Sequence, residues 1–485
     1  MLTLAHIIEA LTGYQSAGGS QVITDVVIDS RLTIPGALFI ALPGERTDGH
    51  RFVVAAFARG ASAAIVQREP EGAETAEAAA GAPRWRMLDL REPVTYAQLM
   101  DLELPVCLRV ENSLQAMQTL AAWWRGRLNP RVIGVTGSVG KTTTKELIAA
   151  VLSTRYRTFK SEGNYNNEIG LPLMLLKLTE AHERAVLEMG FYQPGEIKFL
   201  CGLARPHVGV VNNVYAVHLE RAGTIENIAR GKAELVEALP PAPEGVAVLN
   251  YDDPLVLAMA GRTRARVLTY GLDPAADVWA DSIESLGLAG IHFHLHYRNE
   301  TLHVRVPLLG RHSVHTALRA VAVGLVEGLT WQEIIEGLTA IGATQLRLVA
   351  VTGPKGSLIL DDTYNASPES VVAALNLLAD LEGRRVAVLG DMLELGSHEE
   401  MGHRLVGRRA ADVADLLITV GPRARMIGAE ARDAGLAPEA VVELDDSSQA
   451  LERLREVIQP GDVILLKGSR GVRLDVIVPA LEVRP

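Results

Sequence analysis

Cysteine is nearly absent: Cys107 and Cys201 are the whole complement of 485 residues, and they lie far apart. That excludes a disulfide framework and any cysteine-based metal spacing, and it fits a reducing compartment. A basic excess is also missing. The chain carries 47 Lys and Arg against 58 Asp and Glu, a net charge of -11, which argues against a nucleic-acid partner. Long apolar runs are absent as well. No uncharged stretch approaches the ~20 residues that span a bilayer. The opening MLTLAHIIEALTG lacks a basic start and reads as a short amphipathic helix rather than a signal peptide. The expectation is a cytoplasmic protein without membrane insertion. No internal repeat is apparent.

What is present is an α/β pattern in three segments. Residues 1–105 hold short strand-like runs (VITDVVID, ALFIAL, SAAIVQ) and an Ala/Glu/Gly-rich loop at 69–83. Residues 106–342 open with an amphipathic helix, SLQAMQTLAAWWRGRL, and the strand RVIGVT. Apolar strands (AVLEM, VGVVNNV, VAVLN) then alternate with helices, the signature of a parallel sheet with crossover helices. A β-rich insert from Val278 to Leu309 and two helices complete that segment. Residues 343–485 alternate again and predict an open, doubly wound sheet of nucleotide-binding type.

The stretch VTGSVGKTTTKELI (135–148) joins strand to helix through glycines, lysine and threonines. A strict phosphate-loop pattern wants glycine where Val135 stands; the first glycine here is Gly137. The physical logic survives. Glycines let backbone N–H groups turn inward, and the next helix offers its positive end. Lys141 can reach the outer phosphates of a nucleotide, and the Thr142 hydroxyl can bind Mg²⁺. Ligands of open α/β sheets bind at the carboxyl ends of the strands. Glu188, closing AVLEM, and His218, soon after VGVVNNV, therefore join Thr142 as candidate metal ligands. In TIENIARGKAELVEAL, Lys232 falls on the apolar face with Ile225, Ile228, Leu235, Val236 and Leu239. A buried ammonium is costly unless paired or modified. Spacing alone favours snorkelling or a salt bridge; the other reading is a lysine converted to a carbamate beside the phosphates.

In IHFHLHYRNETLHV, His292, His294 and His296 share one strand face, with His303 in the next strand. No neighbouring Cys or carboxylate in sequence completes a metal site, so a hairpin face is the simpler reading. His398 and His403 read as structural or as supports behind site residues, and Trp123 and Trp124 as packing and hinge residues.

The ordered blocks TGSVGKTTTKE, GNYNNEIGLP (163–172), LEMG (187–190), HLE (218–220), IARGKAE (228–234), GRHSVHTAL (310–318), DDTYNASPES (361–370), GDMLELG (390–396) and KGSRG (467–471) resemble the Mur ligases. DSRLTIPGALFIALPGERTDGH (29–50) is similar to the UDP-binding domain of the same family. The resemblance covers nearly the whole chain. It implies three domains: a small UDP-binding domain, a central P-loop ATPase-like domain and a Rossmann-like C-terminal domain that closes over the site. It implies an ATP-dependent amide ligase that joins D-alanyl-D-alanine to UDP-N-acetylmuramoyl-tripeptide and acts as a monomer.

The implied site follows. ATP contacts fall on Thr136, Gly137, Ser138, Val139, Gly140, Lys141, Thr142, Thr143, His312, Arg347 and Asp362. Two Mg²⁺ ions fall to Thr142, Glu188 and His218. Lys232 matches the carbamylated position, which reverses the preference drawn from spacing. Lys141, Glu188, His218 and Lys232 form the implied catalytic set. Substrate contacts fall on Ser30, Arg31, Thr47, Asp48, Asn166, Asn167, Tyr364, Asn365 and Lys467. Two features depart from the pattern. Ser313 and Thr316 stand where the family shows asparagines, and FYQPGEI keeps only Gly-Glu-Ile of a short family loop. The rivals are another ligase of this type, such as a folate polyglutamylating enzyme, and a P-loop kinase or switch.

Overall fold

Alternating or fully apolar runs broken by turn residues become the strands of three sheets, in a computed structural model. It describes all residues except 16–19, 45–46, 71–83, 96–97, 100–101, 218, 341–347 and 484–485. The expected loop at 69–83 thus lies almost wholly outside the described residues, as do His218 and Arg347. The chain packs as two units. One comprises Met1–Val132, Arg157–Met189 and Phe199–Pro206; the other comprises Ile133–Tyr156, Gly190–Lys198 and His207–Pro485.

In the first unit, the strands Val26–Val27, Leu38–Ile40, Ala63–Val66, Val106–Arg109 and Arg86–Asp89 lie side by side in that order, all parallel. The sheet therefore takes in Val106–Arg109, beyond the boundary expected at residue 105. The strand's four residues are too short to show a period, and the following amphipathic helix masked it. Phe39, Ala64, Val66 and Cys107 bury one face against Val53, Ala56 and Phe57. The amphipathic start is the helix Leu4–Thr12, begun by a Thr3–His6 capping box and ended by left-handed Gly13. Trp124 on the helix Ser113–Gly126 is buried and donates its indole N–H to the Leu178 carbonyl at 2.9 Å, as a packing residue would. Strands Thr158–Lys160 and Arg184–Glu188 pair in parallel in the same unit.

The second unit holds two sheets. In the first, the strands Arg266–Gly271, Val246–Asn250, Val208–Val211 and Arg131–Thr136 run parallel. Val278–Ser285 extends it in parallel, and Ile291–Tyr297 and Glu300–Val306 add an antiparallel meander, which is the β-rich insert. Helices Val314–Val326 and Trp331–Thr339 follow. The second sheet has the order Val349–Thr352, Leu358–Asp362, Val463–Lys467, Arg385–Gly390, Leu416–Val420, Val441–Leu444. Its first pairing is antiparallel and the rest are parallel. Alternate residues feed two cores: Leu360, Ala387, Leu417 and Leu465 on one side, Ile359, Val386, Ile418 and Ile464 on the other. Both faces are covered, as a doubly wound sheet requires. The order reverses beside Val463–Lys467, which places Asp362 next to Lys467 at the carboxyl ends.

Candidate active site

Strand Arg131–Thr136 ends buried, and helix Lys141–Ser153 begins at Gly140. Gly140 has φ +79°, a left-handed conformation that a side chain rarely adopts. A Cβ on Gly137 would come within 2.5 Å of Asn212 Cβ, so only glycine lets the two backbones approach. Asn213 fixes the loop: its Oδ1 accepts from Ser138 N–H at 3.0 Å and Val139 N–H at 2.9 Å. Lys141 Nζ donates back to the Gly137 carbonyl at 2.9 Å. The loop therefore presents a helix N-terminus and a lysine from a braced frame, which suits an anion.

That frame opens onto a cavity of about 770 Å³ within the second unit. Ser138, Val139, Gly140, Lys141 and Thr143 line it, together with His312, Asp362, Tyr364, Asn365 and Lys467. The structure thus gathers in one cavity residues that are over 300 positions apart in sequence. Thr136 is buried at the strand end, Gly137 faces Asn212, and Thr142 is not part of the lining. Lys467 Nζ sits 2.5 Å from Asp362 Oδ2 and donates to the Asn365 carbonyl at 3.0 Å. Three of the expected contacts therefore form one cluster around Lys467, with Tyr364 beside it in chain order. His312 lines the cavity with an exposed side chain, and protein packs around its imidazole. That desolvation, and then Lys467, His315 and Arg319, pull its imidazole down to about 4. It is neutral at physiological pH.

Behind the loop lies a buried polar network. Arg319 Nε donates to Tyr270 Oη at 2.7 Å, and its Nη1 to Thr144 Oγ1 at 3.1 Å and Thr316 Oγ1 at 3.3 Å. Tyr270 Oη reaches the Asn212 carbonyl at 3.1 Å. Burial pushes the Tyr270 phenol up to about 12, against the pull of Arg319. At the rim, His315 Nε2 pairs with Asp252 Oδ2 at 2.7 Å.

Lys232 lies on helix Ile225–Glu237 and is 1% exposed. Among the described residues it forms no ion pair; its Nζ stands 4.9 Å over the Phe191 ring. A Cβ at Gly231 would run into that same ring, so Phe191 is packed tightly there. Burial, then the charge of Lys141, hold the amine well below the usual lysine range. The snorkelling and salt-bridge readings are both overturned. The side chain stops inside the core, with no counter-charge among the described residues.

In the first unit, Asn166 Nδ2 donates to Glu188 Oε1 at 2.8 Å, and Glu188 is 1% exposed. Asn167 instead accepts the Gly170 N–H at 2.8 Å, in the turn ahead of the helix Gly170–Leu176. Ser30–Arg31 and Thr47–Asp48 follow parallel neighbours, which brings both to one edge of the N-terminal sheet. Arg31 is exposed and tied to Asp29 at 2.6 Å, and Asp48 is held by His50 at 2.6 Å and Arg68 at 2.7 Å.

The histidines of the insert do share a sheet face, paired across strands. The expectation that no carboxylate stands near them is corrected. Strand Val278–Ser285 brings Asp281 to 3.3 Å from His294 and 3.2 Å from His296, and Glu284 to 3.8 Å from His292. Cross-strand neighbours are invisible to a reading along the chain. Even so, no group of three His, Cys, Asp or Glu among the described residues could hold a metal ion. His403 is structural: its Nε2 accepts from Met392 N–H at 3.1 Å, and its Nδ1 lies 2.7 Å from the Glu399 carbonyl.

Sequence reasoning missed Asn213, Arg319 and the Asp252–His315 pair. Signals existed for the first two. The paired asparagines close an apolar strand, and Arg319 interrupts an Ala-rich helix three residues after Thr316.

Comparison with known proteins places this arrangement. The Mur ligase family catalytic domain matches residues 22–100, the Mur ligase middle domain 135–324, and the Mur ligase glutamate ligase domain 346–470. The UDP-N-acetylmuramoyl-tripeptide–D-alanyl-D-alanine ligase of Bacillus subtilis is 36% identical, covering 95% of this chain and 93% of its own. The chain belongs to the Mur ligase family. The Escherichia coli ligase of the same name is 34% identical, over 99% of this Mur ligase and 98% of its own length. A crystal structure of MurF from Acinetobacter baumannii superposes with a TM-score of 0.80 at 30% identity, covering 98% of both chains. MurF from Thermotoga maritima, solved in complex with ADP, gives 0.75 at 28% identity, covering 97% of both. Among the described residues no helix is long and apolar enough to cross a membrane.

Proposed function

We propose that this Mur ligase joins D-alanyl-D-alanine to UDP-N-acetylmuramoyl-tripeptide at the expense of ATP, in the cytoplasmic part of peptidoglycan precursor synthesis. The observation that carries the reading is the likeness, over nearly the full chain, to ligases named for that reaction. The cavity beneath the phosphate loop supports it, and the relative from Thermotoga maritima holds ADP. In this reading the segments expected at 1–105, 106–342 and 343–485, the first with its sheet running on to Arg109, serve the UDP-linked substrate, ATP and closure over the site, and the enzyme acts as a monomer.

A carboxylate does not acylate an amine in water, so it is first activated. The tripeptide carboxylate oxygen attacks the γ-phosphorus of ATP; a P–O bond forms, and ADP leaves. The dipeptide amine then attacks the acyl phosphate, loses a proton and expels inorganic phosphate. Lys141 and the N-terminus of helix Lys141–Ser153 hold the phosphates where charge accumulates. The Gly140 conformation and the Asn213 bridge keep these donors aimed before the nucleotide arrives. Lys467, anchored by Asp362, supplies a second fixed cation in the same cavity, beside Tyr364 and Asn365. Neutral His312 remains a hydrogen-bonding group rather than a competing charge. Arg347 and the substrate set Ser30, Arg31, Thr47, Asp48, Asn166 and Asn167 carry over from the family blocks.

The donor chemistry fits a hard cation: Thr142 offers a hydroxyl and Glu188 a carboxylate, with His218 as third member. Two Mg²⁺ ions, when bound, would supply charge neutralisation on the phosphates. Lys232 fits a carbamate, because burial beside Lys141 favours the neutral amine, the form that adds CO2.

The reading is tested by measuring ADP and phosphate release with each substrate left out in turn. Release that needs both the UDP-linked tripeptide and D-alanyl-D-alanine supports it. Phosphate transfer without the dipeptide would make the protein a kinase or switch and end the proposal.

A further inference from the structure

The cations of the cavity are not equivalent. Lys467 has a fixed ion-pair partner in Asp362 at 2.5 Å. Arg319, which also lines the cavity, is 4% exposed and forms no ion pair among the described residues. A guanidinium stays charged throughout the physiological range, and burying it without a counter-ion is costly. Its Nε and Nη1 are spent on the neutral oxygens of Tyr270, Thr144 and Thr316. These bonds hold the group in place but leave its charge uncompensated, and no hydrogen bond engages its Nη2 among the described residues. Nη1 lies 3.8 Å from where a Cβ of Gly140 would sit, at the very start of the helix that offers its positive end to phosphate.

We propose that Arg319 is a nucleotide-binding residue of this chain, a built-in counter-cation whose charge is compensated only when the phosphate groups of a nucleotide enter the cavity. The inference rests on the ATP-site reading above. It adds a residue with a specific electrostatic role. The rigid anchoring on three hydroxyls serves that role. A guanidinium fixed beforehand loses little freedom when the anion arrives, whereas a flexible lysine loses more. The field of Arg319 already reaches the cavity, since it is among the charges that disfavour protonation of His312.

The test is calorimetric titration of the full chain with ADP and, separately, adenosine, for the wild type, Arg319→Gln and Arg319→Lys, each checked by thermal melting. The quantity read is the preference for ADP over adenosine. A charge-assisted contact predicts that Arg319→Gln loses about tenfold or more of that preference, with adenosine affinity changed by less than about threefold. Arg319→Lys, which loses the guanidinium fork and is open to desolvation of its amine, should fall between wild type and Arg319→Gln in that preference. An Arg319→Gln protein that binds ADP within about twofold of wild type, or weakens ADP and adenosine equally, overturns the proposal. Should Arg319→Gln not fold, a folded Arg319→Lys that weakens ADP and adenosine equally overturns it as well. Failure of the wild type itself to bind ADP would instead strike the ATP-site reading.

Discussion

Lys141→Ala is expected to lower ligation by at least ~10³-fold, the scale on which a phosphate-clamping cation acts in phosphoryl transfer. The fold should survive, because Lys141 Nζ bonds loop carbonyls that the Asn213 bridge already holds in place. A melting temperature within about 3 °C of wild type would show this. The substitution also removes the charge that, after burial, most disfavours protonation of Lys232. One change thus touches both halves of the activating machinery. Steady-state release of ADP, measured with both co-substrates saturating, is the check. Near-normal turnover would remove the phosphate loop from the account.

Lys232→Met separates the amine from its packing. The apolar stem is kept and the nitrogen is lost. Activity should fall by about 10²-fold or more, in the range for loss of a fixed electrostatic group. Stability should not fall, because an unpaired amine in the core is no asset. The sign with pH follows from burial. The folded lysine is neutral well below the pH at which the unfolded one is, so unfolding takes up a proton in the interval. In CO2-free buffer, where the amine is unmodified, wild-type stability therefore rises with pH between the lowered folded value and the ordinary 10.5, and this slope disappears in Lys232→Met. Labelled CO2 provides the chemical check. A carbamate carbon resonance should appear in the wild type and be missing from Lys232→Met. Absence of the resonance in fully active wild type would leave Lys232 as an unusual core residue with no part in activation.

The sequence announced the parallel sheets because apolar strands alternate with amphipathic helices at lengths no other architecture uses well. It announced the phosphate loop because Gly140 and Lys141 are adjacent in the chain. Lys232 was legible as an anomaly, a charge at core spacing, although its lack of an ion pair among the described residues was not. What stayed hidden is what depends on distant segments. Asp362 and Lys467 meet because the strand order reverses between them, and no local pattern encodes that pairing. Asp281 and Glu284 reach the insert histidines across a strand pair. The short strand Val106–Arg109 was hidden by the helix that follows it. Arg319 has no reading as a site residue along the chain, because only the fold sets it beside Gly140.

The central claim is that the tripeptide carboxylate is phosphorylated before the amine attacks it. Its most direct test labels both oxygens of that carboxylate with ¹⁸O and follows the label through a single ATP-driven round with D-alanyl-D-alanine. The account predicts that each inorganic phosphate released carries one labelled oxygen and that the new amide keeps the other. Unlabelled phosphate alongside a formed amide would contradict it.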